Sequence, residues 1–391
     1  MALQPAAGAR DRNPWEVDSN RRLRSLLAAV YRLWGYQEVD PPTIERLDTL
    51  EAGGAIAGRE VVRLAADEPL GLRPELTASI ARAACTRLAD RPRPLRLWAD
   101  GTTFRSAIGE GGGQRLYESI QSGVELLGEP SAAADRELMH LLLASTATLG
   151  LRPEHQPTLL VGHHGLLNAL LERIPVAQRL ATRRALTEFD PIALEVLEVP
   201  QEQRQALVAL LNLRGDPTTV LKQLQQWLGA TPLLHSLETT LEAVAPAAAR
   251  QGVRLQLDPT FQPHFDLYDG LVLKLVCQGP DAPVAIASGG RYDGLVRRFC
   301  GDSAQAAGTG FGFAIEAIRD LLETEAPEQE VAAPWLVVSA VGDLTAALER
   351  MSELHAAGEA AALHGGACAT EAEAQQLAGE RGCRGAIWLA P

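Results

Sequence analysis

The sequence has few residues of several kinds, and each shortage narrows the class of protein. Its 391 residues include five cysteines, two lysines and only 5% aromatic residues, and 36 Lys+Arg stand against 49 Asp+Glu, for a formal net charge of -13. A surface with this excess of negative charge repels phosphate backbones and anionic lipids, which disfavours nucleic acid and membranes as partners. The sequence has no apolar run of membrane-spanning length, and its first residues have no apolar signal segment. We therefore expect a soluble, cytosolic protein.

The small number of cysteines argues against a metal centre. They form an odd set with no C-x-x-C pair and no histidine nearby at the spacing of a zinc site: Cys85, Cys277, Cys300, Cys368 and Cys383. We expect reduced structural thiols and neither a metal nor a cofactor.

The chain does have ample apolar content. With 46% hydrophobic residues, a chain of this length can bury a sizeable core, and the length suggests two or three domains. Helical spacing of apolar residues predicts a first amphipathic helix that ends at Gly35. Alternating stretches predict antiparallel strands at 95–98 and 117–127, with a glycine-rich loop at 109–113 between them. The pattern is typical of an α+β fold in which helices flank an antiparallel sheet.

Two later segments differ in composition from this sheet region. Residues from about 175 to 250 are rich in Leu, Ala, Gln and Glu at helical period, which predicts a helical insertion within a core domain of residues 1–324. Residues 324–334 are acidic and contain proline, as a linker does. Beyond them the order β-α-β-α-β predicts a short C-terminal α/β domain at 333–391.

Two motifs are better explained by local structure than by ligand binding. Residues 308–312 have glycine at alternate positions, but Phe313 stands where the third glycine of a dinucleotide-binding loop belongs. His163 and His164 are potential metal ligands, yet adjacent residues on a strand point to opposite faces, which favours a turn after Val161.

Four separated parts of the chain carry the functional signal. They read Leu-Arg-Pro-Glu-Leu-Thr at 72–77, Phe-Arg at 104–105 with Gln-Ser-Gly-Val-Glu-Leu-Leu-Gly at 121–128, Ser-Gly-Gly-Arg-Tyr-Asp-Gly-Leu at 288–295, and Gly-Phe-Ala-Ile-Glu-Ala-Ile-Arg at 312–319. In this order they resemble the motifs of histidyl-tRNA synthetases over roughly residues 20–322. The resemblance implies a class II aminoacyl-tRNA synthetase core, which is an antiparallel sheet with flanking helices that dimerises through its first helix and strand.

The resemblance also implies a pocket for histidine. A carboxylate and a hydroxyl that bind the ligand's ammonium match Glu75 and Thr77. Gln121 would hold the backbone end, and Glu125 would accept a hydrogen bond from the imidazole N–H. Two tyrosines that line the ring and an arginine near the ligand carboxylate complete the set: Tyr268, Tyr292 and Arg105. Any one of these residues alone is more often an ordinary surface or sheet residue, but together they offer the acceptors that free histidine needs.

Several positions that the resemblance assigns to ATP have changed. Arg105 and Arg319 match two arginines of the ATP motifs, but Ser119 replaces the phenylalanine that stacks on adenine. Pro263 stands at the catalytic arginine, and Glu316 at a glycine that lets ATP approach. Losing a stacking ring costs about 1 to 3 kcal/mol, and a carboxylate some 4 Å from a phosphate adds repulsion on the order of 4 kcal/mol at an effective dielectric near 20. We expect a pocket that holds histidine without activating it.

The C-terminal domain is short and has the wrong charge for RNA. Residues 334–391 contain three arginines and seven acidic residues, whereas an RNA-binding surface is basic. A synthetase-like core with a degenerate tail resembles the regulatory subunits of ATP phosphoribosyltransferase, which are themselves inactive. This resemblance implies a hetero-octamer with the short-form catalytic subunit, a role in the first step of histidine biosynthesis, and histidine as the feedback effector.

Two alternatives remain open at this stage. One is an active histidyl-tRNA synthetase with divergent motifs, which histidine-dependent ATP-pyrophosphate exchange would reveal. The other is a stand-alone amino-acid-binding or adaptor protein, which would not co-purify with the catalytic subunit.

Overall fold

The computed structural model describes residues 5–52, 54, 58–108, 112–262, 267–301, 305–322 and 333–390. They belong to two compact units, Met1–Thr324 and Glu325–Pro391. No helix within these ranges is long and apolar enough to cross a membrane.

The larger unit contains a central sheet, a small second sheet and many helices. Its helices are α1 (Pro14–Leu33), α2 (Leu47–Ala52), α3 (Thr77–Cys85), α4 (Ala132–Ala147), α5 (His164–Glu172), α6 (Val176–Thr187), α7 (Pro191–Glu195), α8 (Gln201–Asn212), α9 (Pro217–Leu228), α10 (Pro232–Arg250), α11 (Asp293–Cys300) and α12 (Ile315–Leu322). Its strands are β1 (Gln37–Glu38), β2 (Ile44–Arg46), β3 (Val62–Arg63), β4 (Leu70–Leu72), β5 (Leu95–Ile108), β6 (Gln114–Leu127), β7 (Thr158–His163), β8 (Arg254–Leu257), β9 (Leu271–Gln278), β10 (Pro283–Arg291) and β11 (Gly308–Ala314).

The central sheet is mostly antiparallel, which confirms the predicted fold class. Its eight strands lie in the order β1-β5-β6-β11-β10-β9-β7-β8. All neighbours from β5 to β7 are antiparallel, whereas the two end strands pair in parallel. The hairpin of β5 and β6 pairs Leu95 with Leu127 and Ile108 with Gln114. The strands predicted at 95–98 and 117–127 are therefore confirmed and are longer than predicted, and residues 109–111 of the loop lie outside the described ranges.

Residues along the hairpin alternate between two hydrophobic clusters, one on each face of the sheet. On β5, Trp98 packs with the cluster of α1 and α4, whereas Leu97 and Ala99 pack with the cluster of α3 and α11. On β6, Leu127 also belongs to the cluster of α3 and α11. Since residues two apart on a strand share a face, Glu125 lies on that same face. This side of the sheet carries the predicted site.

The segment predicted as a helical insertion forms α6 to α10. Leu186, Leu207, Leu224 and Val244, from four of these helices, are all buried in the cluster that also contains residues of α1 and α4. The segment therefore shares the core of the sheet and has no separate core of its own among the described residues.

The smaller unit is a parallel three-stranded sheet with two helices. Its strands β12 (Trp335–Ser339), β13 (Ala361–Ala367) and β14 (Gly385–Leu389) lie in the order β13-β12-β14, and α13 (Leu344–Ala356) and α14 (Glu371–Glu380) form the connections. Parallel neighbours need a crossover, so the β-α-β-α-β order in the sequence predicted this sheet.

The expectation of five reduced thiols is wrong for two cysteines. Cys85 and Cys300 form a disulfide, with their Cα atoms 5.2 Å apart. They are the last residues of α3 and α11, which pack against each other. The two cysteines are 215 residues apart in the sequence, so local spacing could not predict that they lie close together. Cys277, Cys368 and Cys383 are free thiols, as expected.

Candidate ligand-binding site

The candidate site lies where the first residues of α3 and α11 meet β6. Glu75 and Thr77 stand at the start of α3, Gln121 and Glu125 on β6, and Tyr292 immediately before α11. Two further predicted residues interact with this group: the charge of Arg105 acts on Glu75, and the carboxylates act on Tyr268. The structure therefore brings together all seven residues predicted from the sequence, although they span 217 positions of the chain from Glu75 to Tyr292.

The start of α3 is tied to β6 through two of these side chains. The Glu75 carboxylate accepts hydrogen bonds from the backbone N–H groups of Thr77 and Ala78, at 2.9 Å for Ala78. The Gln121 side-chain oxygen accepts from the backbone N–H of Leu76 at 3.2 Å. The first N–H groups of a helix have no partner within the helix and favour negative charge, so Glu75 both caps α3 and faces the site.

Glu125 is the most enclosed acid of the site, with 4% of its surface exposed. The Tyr292 hydroxyl donates a hydrogen bond to its Oε2 atom. The Thr77 side chain interacts with both Glu125 and Glu75 and lowers the pKa of each carboxyl group. Two carboxyl groups therefore lie near the Thr77 side chain, and a cation that entered there would meet both.

The glycines of β11 make room for these side chains. A Cβ atom on Gly310 would lie 1.7 Å from the Glu125 Oε2 atom, and one on Gly312 would lie 2.3 Å from the Gln121 Nε2 atom. Residues two apart on β11 face the same side, which accounts for the alternate glycines at 308–312. Sequence reasoning missed this role, and the alternation along a strand was the signal that could have shown it.

Burial disfavours the ionised form of the acidic groups in the site. Burial raises the pKa of Glu125 to about 8, and the nearby charge of Glu75 adds to this rise, against hydrogen bonds from Tyr292 and Thr77. Burial also raises the pKa of Glu75 and of both tyrosine hydroxyls. A ligand that carries a cation and an N–H donor would relieve this cost, because opposite charge and donated hydrogen bonds favour the ionised carboxylate.

The raised pKa of Glu125 predicts a pH-dependent stability. The folded value of about 8 lies above the unfolded value near 4.3, so the folded state binds this proton more tightly. Its stabilising contribution is complete below pH about 4 and is lost as the pH rises through about 8. We expect Glu125→Gln to raise the free energy of unfolding at pH 8 by on the order of 5 kcal/mol and to have less effect at pH 5. Urea unfolding of both proteins from pH 5 to 9 checks this, and parallel pH profiles would contradict it.

The residues around Tyr292 in the motif Gly-Gly-Arg-Tyr-Asp-Gly have a structural role. The buried Arg291 side chain pairs with Asp135 of α4 at 2.9 Å and with Asp293 at 3.3 Å. Asp293 also accepts a hydrogen bond from the backbone N–H of Gly308 at 3.0 Å. The motif thus ties β10 to α4 and β11, and this fixes the position of the Tyr292 ring.

On the side that the resemblance assigns to ATP, the acidic residue of the third motif is paired. The Glu316 Oε1 atom accepts from Arg12 at 2.7 Å, and its Oε2 atom accepts from the backbone N–H of Ile120 at 2.8 Å. The pairing with Arg12 offsets the repulsion that the sequence predicts. Exclusion of a nucleotide there would therefore depend mainly on the space that the two side chains fill.

Of the two arginines that match ATP motifs, one is directed into the protein. Arg319 is 2% exposed and pairs with Asp320 at 2.6 Å and with Glu16 of α1 at 3.4 Å. Ser119 hydrogen-bonds to the Thr103 side chain at 2.8 Å. Pro263 and its neighbours up to residue 266, the segment matching the catalytic arginine, lie outside the described residues.

The turn predicted after Val161 is wrong, because β7 continues to His163 and α5 begins at His164, but His163 does have a local structural role. It caps α5 by accepting a hydrogen bond from the backbone N–H of Gly165 at 2.9 Å. Burial, with the nearby positive charges of His164 and Arg291, lowers the pKa of His163 to about 4. Within the described ranges, no group of three or more His, Cys, Asp or Glu residues is placed to hold a metal ion.

Comparison with known sequences finds a matching family model and similar proteins. The family model described as histidyl-tRNA synthetase matches residues 8–318. Two curated proteins named ATP phosphoribosyltransferase regulatory subunit, from Synechococcus sp. (strain RCC307) and Prochlorococcus marinus (strain MIT 9303), are 52% and 51% identical to this chain over 100% of both chains.

Solved structures agree with the sequence comparisons. A protein from Bacillus halodurans, described as an ATP phosphoribosyltransferase regulatory subunit/histidyl-tRNA synthetase, is 26% identical, with a TM-score of 0.82 over 100% of this chain and 99% of that one. Histidyl-tRNA synthetase from Nostoc sp. PCC 7120 shares the fold, with a TM-score of 0.77 over 100% of this chain and 92% of that one at 19% identity.

Proposed function

The chain belongs to the family of ATP phosphoribosyltransferase regulatory subunits, within the wider histidyl-tRNA synthetase family, and from this membership we propose how it regulates. It binds free histidine at the candidate site and transmits feedback inhibition to a short-form catalytic subunit. That subunit depends on this chain for activity in the first step of histidine biosynthesis. The two proteins form a cytoplasmic hetero-octamer, in which this chain self-associates as a dimer.

The observation that carries the proposal is the pair of carboxyl groups, Glu75 and Glu125, that both interact with the Thr77 side chain. Glu75 and Thr77 would bind the ligand's ammonium, and Glu125 would accept from the imidazole N–H. The buried Tyr292 ring and the half-buried Tyr268 ring would pack against the imidazole. Histidine supplies the cation and the ring donor that such a site requires.

Feedback requires that histidine bind one state of the complex better than another. Only a difference in affinity between two states shifts their populations, and the coupling is reciprocal. The starts of α3 and α11 both contact the site, so a ligand that draws Glu75 and Tyr292 together would change how these helices pack. This is the element that we propose to couple the site to the partner.

Assembly with the catalytic subunit tests the proposed function. The purified catalytic subunit should form phosphoribosyl-ATP only after this chain is added, and histidine should inhibit the mixture. Activity of the catalytic subunit by itself, at the same rate, would refute the regulatory role. Failure of the two proteins to co-purify would favour a stand-alone amino-acid-binding or adaptor protein.

Histidine binding should also release a proton. At pH 7 most Glu125 side chains are protonated before histidine binds, because their pKa is about 8. A bound cation and N–H donor favour the ionised form, so we expect release of up to about one proton per chain. Affinity should then rise between pH 7 and 8. Calorimetry in two buffers with different ionisation enthalpies measures the release, and Glu125→Gln, which has no proton to release, is the control. Equal apparent enthalpies in both buffers would contradict the prediction.

An active histidyl-tRNA synthetase is the second candidate, because the matching family model and the Bacillus halodurans structure both carry that name. Against it stand Ser119 at the adenine-stacking position, the pair of Glu316 with Arg12, and the net charge of -4 over residues 334–391. Histidine-dependent ATP-pyrophosphate exchange decides between the two. We expect no exchange above background, and exchange at a synthetase-like rate would favour this candidate.

A further inference from the structure

We propose that Cys85 and Cys300 form a reversible redox modification site that sets how tightly the candidate site binds histidine. The inference rests on the proposed function in two respects, namely that the ligand is histidine and that the protein lies in a reducing cytoplasm. Its geometric basis is independent of both. The two cysteines end α3 and α11, and the disulfide joins these two ends.

The same two helices begin at the site. Thr77 is the first residue of α3, and Glu75 caps it through the N–H groups of Thr77 and Ala78. Tyr292 directly precedes α11. With nine and eight residues, both helices are only about 12 to 14 Å long. A change in packing at the disulfide is therefore transmitted over two short, rigid elements to three site residues.

The disulfide is accessible, unlike a purely structural crosslink in a core. Cys300 is exposed and Cys85 is half-buried. A cavity of about 230 Å³ beside them is also lined by Arg93 and Gln305. By contrast, Cys277 and Cys368 are buried free thiols. In reducing compartments, disulfides are uncommon and are usually transient and catalytic or redox-sensing, and exchange requires access to a sulfur atom.

A protein dithiol would supply the reducing electrons. One of its thiolates attacks the exposed Cys300 sulfur, forms a mixed disulfide and displaces the Cys85 thiolate. Its second thiol then attacks the mixed disulfide and releases the Cys300 thiolate. Two electrons and two protons pass to the protein, which ends with two thiols, and the dithiol becomes a disulfide.

Reduction leaves α3 and α11 joined by apolar packing, which includes Ala81, Ala84, Leu295 and Val296. The starts of the two helices are then less fixed, and histidine must bear more of the cost of ordering them. We expect reduction to raise the dissociation constant for histidine about tenfold, a coupling of ordinary size between two sites.

The test compares the full chain in oxidised and reduced form. Thiol titration after denaturation should find three thiols in the oxidised protein, as in the structure, and five after treatment with dithiothreitol. Calorimetry then measures histidine affinity in each form. Hydrogen exchange, without histidine, should show faster exchange on reduction at the amides of Thr77, Ala78, Asp293 and Gly294.

Variants separate this inference from the proposed function. Cys85→Ser with Cys300→Ser should bind histidine as the reduced protein does, whatever the reductant, whereas Cys277→Ser should keep the redox response. Five thiols in protein prepared without reductant, or equal affinity and equal exchange in both forms, would overturn the inference. If histidine bound neither form, the proposed function would fail, and the exchange rates would still decide whether the disulfide acts on the helix starts.

Discussion

Replacing Glu125 with alanine should weaken histidine binding by about ten- to a hundredfold. The substitution removes the acceptor for the imidazole N–H from a position that is 4% exposed, where water cannot easily take its place. A hydrogen bond to a charged group contributes about 1.5 to 3 kcal/mol, and each 1.4 kcal/mol is tenfold in affinity. The Tyr292 hydroxyl, which donates to Glu125, would also lose its partner. Calorimetric titration at pH 7.5 measures the effect.

Two further variants distinguish loss of the hydrogen-bond acceptor from loss of folding. Glu125→Gln keeps the shape and an acceptor oxygen but removes the ionisable group, so we expect a loss of about tenfold, together with the higher stability predicted at pH 8. Glu118→Ala is the matched control, because Glu118 lies on the same strand and is exposed. An unchanged dissociation constant in both Glu125 variants would remove this residue from the histidine site.

Local patterns in the sequence were enough to predict the hairpin, whereas the site residues came from the resemblance to a family and their role stays a prediction. Alternation over 117–127 predicted β6, and its length was underestimated because the exposed residues near the loop have little apolar signal. The seven site residues were predicted from motifs that lie in separate segments. They meet because β6 pairs with β5 and β11 and because α3 and α11 cover one face of that hairpin.

Pairings between distant residues could not be predicted in this way. The Cys85–Cys300 disulfide spans 215 residues, and the contact of Arg12 with Glu316 spans 304. In both pairs, no periodic pattern or spacing around one residue indicates which distant residue it contacts. The sequence therefore predicted repulsion at Glu316 from its own charge, whereas the structure shows an ion pair that fills the space. Helical period likewise predicted α6 to α10 but carried no information on the core that they share with α4.

The stability of the larger unit should depend strongly on Arg291. Its side chain is 9% exposed and pairs with Asp135 and Asp293, and it also donates to the Ser131 backbone carbonyl at 3.0 Å. Removing one partner of a buried ion pair costs about 3 to 5 kcal/mol, since the other charge is left without compensation. We expect Arg291→Ala to lower the free energy of unfolding by that amount at pH 7, as measured by urea unfolding.

Three comparisons identify the cause of this loss. Arg291→Ala combined with Asp135→Asn should recover part of the stability, because the uncompensated charge is gone. Arg184→Ala, which breaks an exposed pair with Glu188, should cost less than about 1 kcal/mol. The loss in Arg291→Ala should also shrink at low pH, where Asp135 is protonated; burial already raises the pKa of this carboxyl group. A loss below about 1 kcal/mol at pH 7 would mean that Arg291 contributes no more to stability than an ordinary surface ion pair does. A large loss would mean that the arginine of the Gly-Gly-Arg-Tyr-Asp-Gly motif holds β10 and α4 together so that Tyr292 can face Glu125.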